Sequence, residues 1–378
     1  MTYFQAVVIA LIQGVTELFP ISSLGHSVLV PAWFGGSWQA MVTQSSQQDS
    51  GSSFYLAYIV ALHCATALAL VWFFRADWIR IIRGLLRSLP ASVRLSLRER
   101  RPRLSVRGKD ERLAWMIIFA TIPVGLAGVA LEHVFRVLFA RPAVAAVLLF
   151  VNGLILLGAE ALRRSAARRK QAGALATRVS IVQAFAGPPA GPADPRYPGA
   201  PGYPGAPAYS AGAPRDAAPA PGAIGGGAPV SDRGPSRGRA AADIAAAERS
   251  DERISKLSYQ DALVIGSAQV LALLAGISRS GVTMAGGLWR GLDNEDAARF
   301  AFLLATPVIL AAGVLKVPSL AGPAGAHIHG QVAVGVVVCG IAAYLSVRFL
   351  VRWFQTRTLT PFAVYCLAFG LLSILRFT

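Results

Sequence analysis

Of 378 residues, 54% are hydrophobic and 15% charged, with a mean hydropathy of +0.52; an ordinary soluble domain carries about one-quarter charged residues. That balance excludes a soluble globular domain and makes the bilayer the solvent. The formal net charge of +17 would point to nucleic acid in a soluble protein, but here the basic residues stand in short runs between apolar spans, where they set topology; membrane lipids, and no nucleic acid, are the expected surroundings.

The chain is apolar from Tyr3 onward. It has no basic n-region, and Gln13 and Glu17 precede any plausible cleavage site, so a removable signal peptide is not expected. Segment 3–34 is interrupted midway by polar residues, Gly and Pro. Such breaks are tolerated in a membrane only against protein or a water-lined cavity, and a re-entrant hairpin is expected. Crossing a roughly 30 Å hydrocarbon core takes about 20 apolar residues, and such runs lie at 55–74, 113–131 and 143–162. Arginines and a lysine crowd the connection from Arg75 to Arg112, and Arg163, Arg164, Arg168, Arg169 and Lys170 follow the third span, whereas the connection at 132–142 is short and less basic. Residues 184–238, dominated by Pro, Gly and Ala, cannot bury enough apolar surface to offset ordering entropy, and a disordered cytoplasmic loop is expected. A short polar helix is expected near 240–256. A second interrupted segment, 259–290, precedes spans at 299–317, 331–350 and 360–376, the fifth span being followed by Arg348, Arg352 and Arg357.

The positive-inside rule places these basic connections in the cytoplasm, and an alternation of in and out then fits every loop. Two hairpins, each followed by three spans, make the second half begin upside down. Gln13, Ser22 and Gly25 share their spacing with Gln269, Ser278 and Gly281, as an internal repeat requires. The expected fold is an all-α polytopic membrane protein with six transmembrane helices and two re-entrant helical hairpins in an inverted repeat. Its halves are 1–162 and 258–378, separated by a basic and Pro/Gly/Ala-rich insertion at 163–257. Broken helices related in this way place a site where the two breaks meet. Cys64, Cys339 and Cys366 lie in apolar stretches without paired or metal-ligand spacing and read as packing residues.

The first break, QGVTELFPISSLGH from Gln13 to His26, sets a carboxylate, two hydroxyls and an imidazole in an apolar frame. An ionisable residue at membrane depth is expensive, so functional use is the default expectation. Glu17 can serve as general base, cation ligand or partner of Arg279. His26 can move a proton or merely cap a helix, and one of Ser22 and Ser23 caps the helix after Pro20. The second break, LLAGISRSGVTMAGG from Leu273 to Gly287, has no carboxylate but sets Arg279 among Ser278, Ser280, Gly281 and Thr283. A planar fork of donors beside a glycine-bearing helix start suits an anion. His63 reads as a polar packing contact, His327 and His329 as outer-loop residues rather than metal ligands, and Asp293, Asn294, Glu295 and Asp296 as a solvated helix start.

These two segments resemble the signatures of the undecaprenyl-diphosphate phosphatase family, the bacitracin-resistance phosphatases. The resemblance extends over nearly the whole chain apart from the Pro/Gly-rich insertion and the long basic connection. It implies hydrolysis of undecaprenyl diphosphate to the monophosphate carrier and inorganic phosphate at a bacterial inner-membrane site opening to the extracytoplasmic side. It also implies assistance from Mg²⁺ or Ca²⁺ with Glu17 as a metal ligand, and a role in recycling the lipid carrier for the cell wall. Carried over by position, Glu17, Ser23, His26 and Arg279 form the essential set, with Gln13, Ser22, Ser278, Ser280, Gly281 and Thr283 in supporting contacts with a polyprenyl diphosphate substrate. Gln13 stands where some members have a second glutamate, and Ala275 replaces the usual proline. Residue types leave open whether Ser23 or water attacks, and oligomeric state, a homodimer included, is equally open. The competing reading is a polyprenyl-phosphate or small-anion transporter, since inverted repeats with broken helices also build carriers; the clustered acid–base set disfavours it.

Overall fold

The computed structural model describes residues 1–47, 54–99, 101, 104–130, 141–185, 235–316 and 328–378. Most of the 132–142 connection, all but the ends of segment 184–238, and His327 lie outside them. Within the described residues the chain is all-helical. In order, the helices are α1 (Tyr3–Thr16), α2 (Ser23–Phe34), α3 (Gly36–Gln47), α4 (Phe54–Phe73), α5 (Arg75–Glu99), α6 (Lys109–Ala130) and α7 (Pro142–Phe185). They continue with α8 (Pro235–Ser255), α9 (Tyr259–Ala268), a 3₁₀ turn (Gln269–Leu273), α10 (Arg279–Trp289), α11 (Asn294–Lys316), α12 (His329–Thr356) and α13 (Thr360–Phe377). One compact unit comprises Met1–Ala166 with Ile244–Thr378; the other, Ala167–Asp243, holds the last part of α7 and the first of α8.

Five helices, α6, α7, α11, α12 and α13, are long and apolar enough to cross a membrane; α4 adds a sixth crossing only together with α5, from which it is bent by 84°. The protein is therefore a multi-pass membrane protein, with five to six candidate spans among the described residues. The basic connection after α4 is itself helical. On α5, Ile81, Gly84, Ser88 and Ser92 are buried, while Ile79, Ile82, Leu86, Leu89, Val93 and Leu97 are exposed beside the arginines.

Both interrupted segments are a helix, a break and a helix: α1, residues 17–22, α2; and α9 with its 3₁₀ turn, residues 274–278, α10. The helices before the breaks start alike. Thr2 caps α1 and Ser258 caps α9, each in a reciprocal capping box with Gln5 and Asp261 respectively. The tyrosines of α4 fasten the first segment, Tyr58 donating to the Ala6 carbonyl at 2.6 Å and Tyr55 to that of Ser27 at 2.8 Å. Packing of apolar helices in lipid relies on close backbone approach, and Gly266 of α9 provides it. A Cβ there would lie 2.0 Å from the Ala120 carbonyl oxygen of α6.

At the charged end of the bundle, Asp251 of α8, 2% exposed, accepts from Arg299 at 2.7 Å and Arg80 at 2.8 Å. Asp296 accepts from Ser250 at 2.5 Å and Arg253 at 2.6 Å. The acidic start of α11 is thus only partly the solvated helix start that the sequence suggests. Asp293 accepts the Asp296 amide at 2.8 Å, as a cap does, but Asp296 is buried because α8, a helix of unreadable purpose in the sequence, docks its polar face there.

Gly266→Ala should lower the melting temperature of the detergent-solubilised protein, because the added methyl meets backbone rather than a mobile side chain; overpacking of this kind costs about 1–3 kcal/mol. Gly158→Ala, with open space around it, should not lower the melting temperature in the same thermal scan, since alanine favours a helix interior over glycine.

Candidate functional site

A helix broken inside a membrane strands backbone donors and acceptors, each costing several kcal/mol if left without a partner. Here the two breaks satisfy one another. The Ser280 hydroxyl, from the second, donates to the Phe19 carbonyl in the first at 3.2 Å. The Gly276 amide donates to Ser22 Oγ at 3.2 Å. Asn152, fully buried on α7, bridges both: its Nδ2 donates to the Pro20 carbonyl at 3.0 Å, and its Oδ1 accepts the Ser278 amide at 3.0 Å. Gly276, at φ +113°, passes so close to α7 that a Cβ would lie 2.5 Å from the Ala145 carbonyl.

Each break ends in a serine-capped helix start. Ser22 Oγ accepts the Gly25 amide and Ser278 Oγ the Gly281 amide, both at 3.2 Å. Ser22 holds φ at +70°, a conformation that a non-glycine residue rarely adopts. With the Gly281 amide taken by Ser278 and the Thr283 hydroxyl donating to the Arg279 carbonyl at 2.7 Å, neither Gly281 N–H nor Thr283 O–H is directed at a ligand. These residues shape the helix start that presents Arg279.

Glu17 is where the breaks meet chemically. Its Oε1 accepts from Arg279 Nη2 across the two segments. Its Oε2 accepts from the Ser23 hydroxyl and from Gln13 Nε2, the latter at 2.8 Å. His63 of α4 brings its Nε2 to 3.3 Å from the same oxygen. The carboxylate is 8% exposed. Glu17, Ser22, Ser23, His63, Gln269, Ser278 and Arg279 line a cavity of about 220 Å³, together with apolar side chains including Val124, Leu273, Ile309 and Ala312. A hydroxyl donating to a carboxylate, with a guanidinium on the carboxylate's other oxygen, is the arrangement that activates an attacking oxygen and receives an anion.

The structure therefore gathers Gln13, Glu17, Ser22, Ser23, Ser278, Ser280 and Arg279 at one place. His26 stands apart from the cavity wall. Its Nδ1 lies 2.7 Å from the Ser22 carbonyl oxygen and its Nε2 2.7 Å from the Tyr365 hydroxyl, with the ring stacked on Tyr365 and Phe369. In this geometry it braces the strained Ser22. Conversely, His63, set aside in the sequence as a packing contact, faces Glu17. Its signal was present: an imidazole mid-span obeys the same cost argument that singled out Glu17. Asn152, the one carboxamide in the 143–162 span, whose other polar residue Glu160 lies near its end, was legible on the same ground.

A hard divalent cation takes oxygen ligands. Among the described residues of this site one carboxylate, Glu17, is present, and beside it the buried Oε1 of Gln13 has no hydrogen-bond partner. That orphaned acceptor next to a carboxylate suits a small cation.

Comparisons with known proteins show what the chain is similar to. The family model described as bacitracin resistance protein BacA matches residues 6–190 and 239–372. The chain is 51% identical to undecaprenyl-diphosphatase 2 of Frankia alni, over 100% of this chain and 98% of that protein. It is 45% identical to the undecaprenyl-diphosphatase of Mycolicibacterium paratuberculosis, over 98% and 95% of the two. It is 33% identical to undecaprenyl-diphosphatase 2 of Chromobacterium violaceum, over 99% of each.

Replacing Asn152 by Leu leaves the Pro20 carbonyl and the Ser278 amide without their partner at once, each worth about 1–3 kcal/mol. Asn152→Leu should thus lower the melting temperature in detergent by several degrees, and Asn152→Asp, which sets a buried carboxylate against the Pro20 carbonyl oxygen, should lower it at least as far.

Proposed function

The chain belongs to the bacitracin resistance protein BacA family, and on that footing we propose that it hydrolyses undecaprenyl diphosphate to undecaprenyl phosphate and inorganic phosphate. The observation that carries this reading is the convergence on one buried carboxylate of a hydroxyl and a guanidinium from two different membrane breaks. In phosphoryl transfer the protein's work is positioning and charge stabilisation. Arg279, held by Glu17 and by its place in the first turn of α10, offers its remaining donors to the diphosphate and offsets charge developing on the transferred group. Glu17 Oε2, already accepting from Ser23 Oγ, takes the proton of the attacking oxygen, whether that of Ser23 or of a water in the same place. His63 Nε2 stands beside that oxygen to pass the proton on. His26 holds Ser22, and through it the start of α2.

Mg²⁺ or Ca²⁺ would be held by Glu17 with the free Oε1 of Gln13, and when bound would neutralise phosphoryl oxygens. The two segments are read as re-entrant hairpins of an inverted repeat. In support, their matched serines cap matched glycines at the same distance, and the sequence sets three apolar runs after each segment. With the basic connections cytoplasmic, the cavity opens to the extracytoplasmic side of the bacterial inner membrane, where spent lipid carrier is returned to use in cell-wall synthesis. The prenyl tail needs no enclosed pocket, since it can lie in the lipid beside the bundle.

Purified protein in detergent should release phosphate from undecaprenyl diphosphate, and EDTA should suppress the release. Glu17→Gln, Ser23→Ala and Arg279→Lys should each lower kcat by about 100-fold or more, the size of losing one preorganised electrostatic contact. Thermal unfolding followed in parallel separates chemistry from folding, since breaking a buried ion pair itself costs about 3–5 kcal/mol. Full activity of Glu17→Gln would overturn the assignment of the carboxylate.

A further inference from the structure

Gln269 is 1% exposed and lines the cavity, yet neither its Oε1 nor its Nε2 has a hydrogen-bond partner among the described residues. A buried carboxamide left in that state is among the costlier features a fold can carry. Its counterpart in the repeat explains the anomaly. Gln13, at the matching position, spends its Nε2 on Glu17, four residues on. Four residues beyond Gln269 stands Leu273, so the second segment retains the carboxamide without the carboxylate that occupies it. The side chain is also held at a turn where the helix tightens to 3₁₀, rather than at a helix face turned to lipid.

The polar part of the wall around Gln269 supplies the Arg279 guanidinium, the His63 imidazole and serine hydroxyls, with the Glu17 carboxylate already paired to Arg279; these are donors suited to phosphoryl oxygens, set in an otherwise apolar wall. We infer that Gln269 binds the substrate's diphosphate headgroup, its Nε2 donating to a non-bridging phosphoryl oxygen and its Oε1 accepting from water held with the headgroup. The inference rests on the proposed phosphatase reading, and it adds a residue from the second segment other than Arg279 to the binding set. Arg279 supplies charge; Gln269 supplies a neutral donor.

The test is Gln269→Met, which keeps the volume and removes the polar atoms. An orphaned polar group that serves the ligand costs the empty protein stability, so Gln269→Met should unfold at the same temperature as wild type or a higher one. Its KM for undecaprenyl diphosphate should rise about 10- to 100-fold, matching the loss of one hydrogen bond to a charged group, with a smaller change in kcat. Inorganic diphosphate should raise the melting temperature of the wild type and raise that of Gln269→Met much less. That thermal shift needs no turnover, so it remains informative if the wild type proves not to hydrolyse the lipid, an outcome that would sink the phosphatase reading alone. A lowered melting temperature with wild-type KM would show a structural carboxamide and overturn the inference. So would unchanged kinetics at unchanged stability, or equal diphosphate shifts, including none, in both proteins.

Discussion

Inside a bilayer a chain cannot leave a helix without finding partners for the amides and carbonyls it exposes, and everything at the centre of this molecule follows from how that requirement is met. Two apolar segments break inside the bundle, and the Phe19 and Pro20 carbonyls and the Gly276 and Ser278 amides find partners across the breaks or on Asn152 between them. The site is therefore not an ornament placed on a finished bundle. The same hydrogen bonds that permit non-helical backbone also fix the distance between the two segments, and with it the distance between Glu17 and Arg279.

Electrostatics then closes the arrangement. Neither Glu17 nor Arg279 would be tolerated alone in an apolar frame, and their pairing removes much of that cost while leaving further donors on the guanidinium. The pair is weak evidence for stability in itself, since desolvation consumes much of what the Coulomb attraction returns. Its value lies in a charged cradle that needs no reorganisation when an anion enters. Ser23, Gln13 and His63 all turn toward the carboxylate, so the local polar groups are organised by one residue.

Much of this was legible in the sequence, for a physical reason: in a membrane, polarity in the wrong place is conspicuous. Hydropathy located the helices, and Glu17 and Arg279 stood out against their surroundings. The breaks showed as Gly, Pro and Ser in apolar runs. What escaped were residues whose role depends on what faces them. His63 looked like a packing residue because no charged side chain stands near it in its own helix, and its partner Glu17 lies 46 positions away, just past the end of α1. His26 sits within the motif, yet its ring turns to Tyr365 and Phe369 on α13, a contact that motif spacing cannot encode. The helical character of the basic connection was hidden because charge dominated the reading, although the apolar positions of α5 recur at helical intervals from Ile79 to Leu97.

The opposed charges come one from each segment. At the spacing that aligns Gln13 with Gln269, Glu17 aligns with Leu273, and Arg279 with Ser23. A symmetric assembly of two first segments would confront carboxylate with carboxylate, and one of two second segments would confront guanidinium with guanidinium. The two segments are thus complementary rather than interchangeable: each carries a charge that the other neutralises.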